Sequence, residues 1–257
     1  MKPTQISMIA ALVALLLFSA VLANRSIASK SSTERTVKGD GFAVLELFTS
    51  EGCSSCPPAD ELLAKIQKEA GSRPVYVLTY HVDYWDRLGW KDAFSNSDYS
   101  KRQYQYASKL RAQVYTPQLV VNGKTEFVGS NEAATDYAIN SALKGTPSTS
   151  LSLQGKIQSG KMALDYQIKG NEDQSELVIA VVQKQAISKV KRGENEGRTL
   201  VHAQIVRQLN SFNLETAEKG KVNISIPEDF NSKDWEVIGL LQHPKTRAIS
   251  AAGKVAF

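Results

Sequence analysis

Val44-Leu45-Glu46-Leu47-Phe48-Thr49-Ser50-Glu51-Gly52-Cys53-Ser54-Ser55-Cys56-Pro57-Pro58-Ala59-Asp60 is the stretch on which the fold turns. It holds the only two cysteines among 257 residues. Four cysteines, or cysteines mixed with histidines at ligand spacing, would suggest a zinc site. Two cysteines separated by two residues suggest thiol–disulfide chemistry instead.

The flanks of the pair read as strand and helix. Phe42 to Phe48 is apolar and bounded by Gly41 and Thr49-Ser50, the pattern of a strand. After the cysteines, Ala59, Leu62, Leu63, Ile66 and Ala70 recur at helical spacing. Pro57 or Pro58 suits the first turn and Gly71 the stop, so a helix is expected over 57–70. A second strand follows from Pro74 to Val82, then an ordered loop with Trp85 and Trp90. Ser97 to Arg111 reads as a helix with Tyr104, Ala107 and Leu110 on one face. Leu119-Val120-Val121, Asn122-Gly123 and Glu126-Phe127-Val128 carry the strongest short hairpin signal. Ser130 or Asn131 can cap a last helix that ends near Leu143 and Gly145.

Residues 146–150 read as a linker, because Gly145-Thr-Pro-Ser-Thr-Ser150 is turn-forming throughout. Beyond it the pattern changes to strands near 151–154, 162–168, 177–182, 200–209, 222–226 and 235–241, with another expected over 248–257. Turn residues recur between them, so a β-sandwich-like domain is expected over 151–257. Lys189 to Arg198 reads as a charged, mobile hairpin tip.

The other end sets the compartment. Lys2 precedes an apolar run from Met8 to Ala23 that only Ser19 interrupts. This reads as a secretory signal peptide over 1–23, with cleavage as late as Ala28 as the alternative, and 24–40 as a flexible lead-in. An uncleaved signal anchor is the other reading, and the only route to a membrane. The expected location is therefore exported, periplasmic or secreted, where disulfides persist. The net charge of +5 is scattered. No basic stripe interleaves with aromatics, so nucleic acid is not expected as a partner. No P-loop, dinucleotide fingerprint, serine elbow or zinc-protease helix is present.

Strand, dithiol, helix, strand, helix, hairpin and helix over 41–145 is the order of the thioredoxin fold. Val44 to Phe48 running into Cys53-Ser-Ser-Cys56 resembles the first strand and redox loop of thioredoxins. Thr116-Pro117-Gln118-Leu119-Val120-Val121-Asn122-Gly123 resembles that fold's cis-proline segment. Glu46 to Asp60, His81-Val-Asp-Tyr-Trp85 and Tyr115-Thr-Pro-Gln118 closely resemble a secreted thioredoxin-like family, domain of unknown function 1223. The resemblance implies a thioredoxin-like domain over 41–145 and a dithiol site. It implies that Pro117 is cis and lies against the cysteines, with the Thr116 backbone open to a substrate.

A thiol attacks only as its thiolate. Cys53, just before a helix start, would lie near unpaired N–H groups and the positive end of the helix dipole. Cys53 is then the nucleophile and Cys56 the resolving thiol. The plain alternative is a permanent disulfide that braces the loop. Glu46 interrupts an apolar strand, where a carboxylate must be paired or functional. Thioredoxins carry a buried acid at the position held here by Leu47, so Glu46 is either a structural ion pair or a displaced proton relay. His81, Asp83 and Trp85 follow the second strand's end and either line the site or bond the loop backbone.

Three functions compete on this reading. The first is an exported thiol–disulfide oxidoreductase acting on protein or small-molecule thiols through an unidentified redox partner, with no cofactor and no resident metal. The second is a Cu(I) carrier that adds one of His81, His202 or His243 to the two sulfurs. The third is a non-catalytic extracytoplasmic binding module with a structural disulfide.

Overall fold

The computed structural model describes residues 41–256, apart from 159, 171–174 and 215–217. The expected signal peptide and lead-in, residues 1–40, lie outside the described residues. Strand β1 (Ala43–Thr49) leads into the dithiol loop and helix α1 (Pro57–Ala70). Strand β2 (Val75–His81), a 3-10 turn (Asp83–Leu88) and helix α2 (Ser97–Leu110) come next. Strands β3 (Gln118–Val121) and β4 (Thr125–Val128) form the expected hairpin, and helix α3 (Glu132–Leu143) follows.

The hairpin turn works because Asn122 and Gly123 both take the left-handed conformation, at φ 50° and 64°. The Asn122 side chain then bridges outward. Its Oδ1 accepts from the Val44 N–H at 2.7 Å, and its Nδ2 donates to the Phe42 carbonyl at 3.0 Å. The turn is thereby tied to the start of β1.

The second half is all strand: β5 (Ser150–Gln158), β6 (Lys161–Lys169), β7 (Glu176–Lys189), β8 (Thr199–Asn213), β9 (Lys219–Ser225), β10 (Trp235–Gln242) and β11 (Ile249–Lys254). Four of these strands do not form a separate domain. The larger sheet runs β11-β10-β7-β8-β2-β1-β3-β4, so both halves of the chain share it. The physical reason lies in β2. In the first half it is an edge strand, with its outer N–H and C=O groups unpaired, and such edges are covered. Strand β8 covers it, pairing Ile205 with Thr79, whose hydroxyl also donates to the Ala203 carbonyl at 2.8 Å. The β7–β8 register shifts by one residue at Arg207, between the Val182–Val206 and Val181–Gln208 pairs, and this bulge bends β8 close to the junction.

The remaining three strands form a small sheet, β5-β6-β9. Its apolar residues Leu153, Met162, Leu164 and Ile224 pack on Leu177, Ile179, Val181 and Val237 of the large sheet. Two sheets thus do face each other in the second half, but one of them is shared with the first.

Alternation along β1 sends neighbouring side chains to opposite faces. Leu45 and Leu47 pack with α1 and α3 residues such as Leu63 and Ile139. Val44 and Phe48 pack with Tyr99 and Tyr106 of α2. Among the described residues no helix is long and apolar enough to cross a membrane.

Candidate functional site

Cys53 and Cys56 are joined by a disulfide. Cys56 is the N-cap of α1, and the two intervening serines are exposed. Both cysteines are fully buried. The expectation that free N–H groups of the helix start would face Cys53 is not met. Pro57 and Pro58 have no N–H, and those of Ala59 and Asp60 donate to the Cys56 carbonyl at 2.9 and 3.1 Å. The donor near the sulfur is a side chain instead. Ser55 Oγ lies 3.4 Å from Cys53 Sγ and 3.5 Å from the Thr116 carbonyl.

The Thr116–Pro117 peptide bond is cis. Gly129 donates its N–H to the Pro117 carbonyl at 2.9 Å. A Cβ at Gly129 would lie 2.7 Å from Leu47 and 3.4 Å from Pro117, so only glycine lets the chain pass this close. Trp85 lies against Gly52 and donates its indole N–H to Thr116 Oγ1 at 2.9 Å. Trp85 therefore bridges the Cys53–Cys56 loop to the proline segment. Asp83 does not face the dithiol. It accepts from the Ser100 hydroxyl at 2.5 Å, while its own N–H donates to that hydroxyl at 3.1 Å. It ties the 3-10 turn to α2.

Glu46 points to the opposite face from Leu47 and is a buried ion pair. Arg102 Nε donates to Glu46 Oε1 at 2.7 Å, and the Tyr106 hydroxyl donates to Oε2. Arg102 also reaches Gln242 Oε1 at 3.1 Å and Tyr106 Oη at 3.0 Å. Of the two roles open to Glu46, the geometry provides the structural pairing.

A second polar cluster lies behind the dithiol loop, buried among α1, β2, β8 and the loop after the 3-10 turn. It contains Glu51, Asp60, His81, Asp92 and His202, none more than 7% exposed. His81 Nδ1 and Asp92 Oδ2 are 2.6 Å apart. Asp92 Oδ2 also accepts from the Glu51 N–H at 2.9 Å. Glu51 Oε2 accepts from the Trp90 indole at 2.6 Å. Its Oε1 lies 3.3 Å from His202 Nε2, within ion-pair range but off hydrogen-bond geometry. The Thr49 hydroxyl donates to Asp60 Oδ2 at 3.2 Å.

Burial pushes the Asp60 carboxyl up to about 6, against the opposing pull of His81 and His202. Burial also disfavours charge on Asp92, but the charge and hydrogen bond of His81 outweigh it and hold the carboxyl below its ordinary value. Burial pushes His81 down, and Asp92, Asp60 and Glu51 more than reverse it, so His81 is raised. Each of the two therefore favours the charged form of the other. Burial likewise pushes Glu51 up, and its interactions with His202, Ser188 and Trp90 outweigh that push and lower it.

The sequence alone places His81 near the dithiol and offers His202 only as one of three candidate copper ligands, and it leaves Asp60 and Asp92 without a role there. One signal is available: His202 stands in an apolar strand, where a polar group requires a partner. The third histidine, His243, is elsewhere, accepting from the N–H groups of Lys245 and Thr246. Among the described residues no group of His, Cys, Asp and Glu is arranged to hold a metal ion.

The tip between β7 and β8, expected to be mobile, is docked on the dithiol loop. Glu194 Oε2 accepts from the Ser54 N–H, and Asn195 is fully buried against the loop.

A solved structure of a structural-genomics protein from Agrobacterium tumefaciens is similar at 27% identity and TM-score 0.65, covering 82% of this chain and 92% of that one. A domain of the outer membrane lipoprotein Omp28 from Porphyromonas gingivalis matches at 6% identity and TM-score 0.29, over 44% of this chain and 90% of that one. A β-glucuronidase from Ruminococcus gnavus matches at 7% identity and TM-score 0.23, over 42% of this chain and 15% of that one. The last two are too distant to inform the site. No curated protein matches the chain. The profile described as "Protein of unknown function (DUF1223)" matches residues 44–242, and the chain belongs to that family.

Proposed function

We propose that the protein is an extracytoplasmic thiol–disulfide oxidoreductase whose first half is thioredoxin-like and whose reactive pair is Cys53–Cys56. The observation that carries the reading is the disulfide at the N-terminus of α1, beside the cis Thr116–Pro117 bond. A permanent brace needs no hydroxyl beside its sulfur. Here Ser55 lies beside Cys53 Sγ and can donate to the thiolate that exchange creates there.

In the oxidising direction a substrate thiolate attacks Cys53 Sγ. The new substrate–Cys53 bond forms as the Cys53–Cys56 bond breaks, and its electron pair leaves as the Cys56 thiolate, which takes a proton. A second substrate thiolate then attacks the substrate sulfur of the mixed disulfide and releases Cys53. The substrate loses two electrons and the protein disulfide gains them. The partners on this reading are protein or small-molecule thiols, and the N-terminal apolar run delivers the chain to a compartment where disulfides persist.

The test is exchange by the purified mature chain. With Cys56→Ser, the Cys53 thiolate should attack a disulfide substrate, release one of its sulfurs as a thiol and hold the other as a mixed disulfide, seen as an intact-mass increase. With Cys53→Ser no such increase should appear. A wild-type pair that resists strong reductant until the protein is unfolded overturns the reading. The reduction potential then gives the direction of flow. A value near −120 mV marks an oxidant and one near −270 mV a reductant.

A further inference from the structure

The tip between β7 and β8 is built as an ordered turn. Val190 donates its N–H to the Arg198 carbonyl at 3.0 Å, Gly197 returns to Val190 at 2.9 Å, and Arg198 donates to Asn195 at 3.1 Å. The turn presents two side chains to the dithiol loop. Asn195 Nδ2 donates to the Glu51 and Cys53 carbonyls, both at 2.9 Å. Glu194 Oε2 accepts from the Ser54 N–H at 2.9 Å. Arg198 Nη1 donates to Asn195 Oδ1 at 2.9 Å and fixes the amide's orientation. A Cβ on Gly193 would lie 3.4 Å from Trp90, so the tip also rests on the loop that flanks the site.

These contacts join segments some 140 residues apart, and they involve the main chain of the redox loop itself. The tip is otherwise charged, with Lys191, Arg192, Glu194, Glu196 and Arg198. Within it only Val190 is a buried apolar residue. The attachment is thus polar, and water can replace each of its hydrogen bonds at a modest net cost. Glu194 to Glu196 stand between two glycines in the left-handed region, Gly193 at φ 81° and Gly197 at φ 79°. Glycine leaves both ends of this segment free to change conformation. In the loop that the tip holds, Cys53 and Cys56 have no exposed surface, although Ser54 and Ser55 between them do. Thiol exchange requires access to a sulfur.

We propose that Glu194 and Asn195 form a clasp that closes the β7–β8 tip over the Cys53–Cys56 disulfide and must open before a thiol can attack it. The proposal rests on the oxidoreductase reading above. It gives the second half of the chain a role, since the long β7–β8 hairpin then controls access to chemistry carried by the first.

The experiment follows reduction of the full mature chain by excess dithiothreitol. Its two thiols end as a cyclic disulfide while the protein pair becomes two thiols, counted by native alkylation and intact mass. Glu194→Lys removes the acceptor at Ser54 from an exposed position, and Asn195→Ala removes the two carbonyl contacts. Each should speed reduction about tenfold, and together they should speed it further. Reoxidation should accelerate equally, leaving the reduction potential unchanged. Reduction rates within twofold of wild type, in a protein whose disulfide does react, overturn the clasp and leave the oxidoreductase reading intact. Faster reduction with unchanged reoxidation also overturns it, because the variants would then only destabilise the oxidised form. A disulfide inert in wild type and in both variants removes the oxidoreductase reading and the clasp together. If Asn195→Ala fails to fold, Glu194→Lys decides alone.

Discussion

Two buried polar clusters flank β1 from opposite faces, and they are finished to different degrees. Around Glu46, the Arg102 guanidinium, the Tyr106 hydroxyl and the Gln242 amide are bonded to one another, and Gln242 Nε2 reaches on to the Arg247 carbonyl at 2.6 Å. Among the described residues, only Tyr80 Oη and Arg247 Nε at its margin lack a hydrogen bond. Around Glu51, among the described residues, Asp60 Oδ1, His81 Nε2 and His202 Nδ1 have no hydrogen-bond partner, and Glu51 Oε1 and His202 Nε2 meet only at ion-pair distance, 3.3 Å. A buried polar group without a partner costs about 1–3 kcal/mol, so a cluster of them is retained at a penalty. The satisfied cluster lies under α2, away from the cysteines. The unsatisfied one lies under the dithiol loop. The comparison separates polar groups that bond one another fully from groups left incompletely paired beneath the Cys53–Cys56 loop.

The largest expected effect tests the satisfied side. Arg102→Ala strands the Glu46 carboxylate in the core, and removing one partner of a buried pair costs about 3–5 kcal/mol. Denaturant unfolding should lose that much, while the rate of disulfide reduction in the folded protein stays at the wild-type value. Replacing both partners, Arg102→Met with Glu46→Leu, should restore most of the stability. A loss of redox rate without loss of stability would break the comparison.

The next effect tests the unsatisfied side through its pH dependence. The Asp60 carboxyl is raised from 3.8 to about 6 in the fold. Between these values the unfolded chain releases the proton and the folded protein keeps it, so stability falls as pH rises from about 4 to about 6. Above about pH 6 the full penalty is present, at most about 3 kcal/mol from about 1.4 kcal/mol per pKa unit. Asp60→Asn should therefore unfold later than wild type at about pH 8 and together with it at about pH 4. His81 acts in the same direction. Its raised value gives stability that is complete below its unfolded value of 6.5 and lost as pH climbs through the folded one. Asp92 and Glu51, both lowered, give stability that is lost as pH falls through their folded values. Thermal melts across about pH 3–9 should thus peak in mildly acidic buffer. A flat profile from about pH 5 to about pH 8 would contradict the assignment.

Much of this is legible in the sequence where the signal is local. The helix over 57–70 follows from apolar spacing between two prolines and Gly71, and its bounds coincide with α1. The hairpin follows from Asn122-Gly123. The composition break at 145–150 is real, but it marks a change from mixed to all-β structure rather than a domain boundary. What decides the domain question is the open edge of β2, filled by a strand more than 120 residues later. No local pattern announces such a partner. The candidate site divides the same way. Cys53 and Cys56 announce themselves by spacing and type, and Pro117 through the resemblance of its segment to the thioredoxin cis-proline segment. Asp92, His202 and Asn195 are distant in sequence and acquire meaning only when β8 docks beside β2. The density of charge at 189–198 suggests solvent, yet its one uncharged amide, Asn195, is buried, as is Val190.

The smallest expected effect sharpens the comparison at a single hydroxyl. Thr49 is the last residue of β1, and its hydroxyl donates to Asp60 Oδ2, while Asp60 Oδ1 has no partner among the described residues. A hydrogen bond to the ionised form lowers a carboxyl pKa. Thr49→Val keeps the shape and removes the donor, so the Asp60 value should move above about 6. The stability lost should be only about 1 kcal/mol, because a single hydrogen bond is removed and the protonated form of Asp60 can donate elsewhere. The carboxyl carbon of Asp60, followed by NMR across about pH 4–8, reads the shift directly. In the Glu46 cluster the same kind of deletion, Tyr106→Phe, removes a hydroxyl that bonds Glu46, Arg102 and Gln242. Its stability loss should exceed that of Thr49→Val. If the two losses are equal, the difference in how the clusters are finished has no energetic meaning.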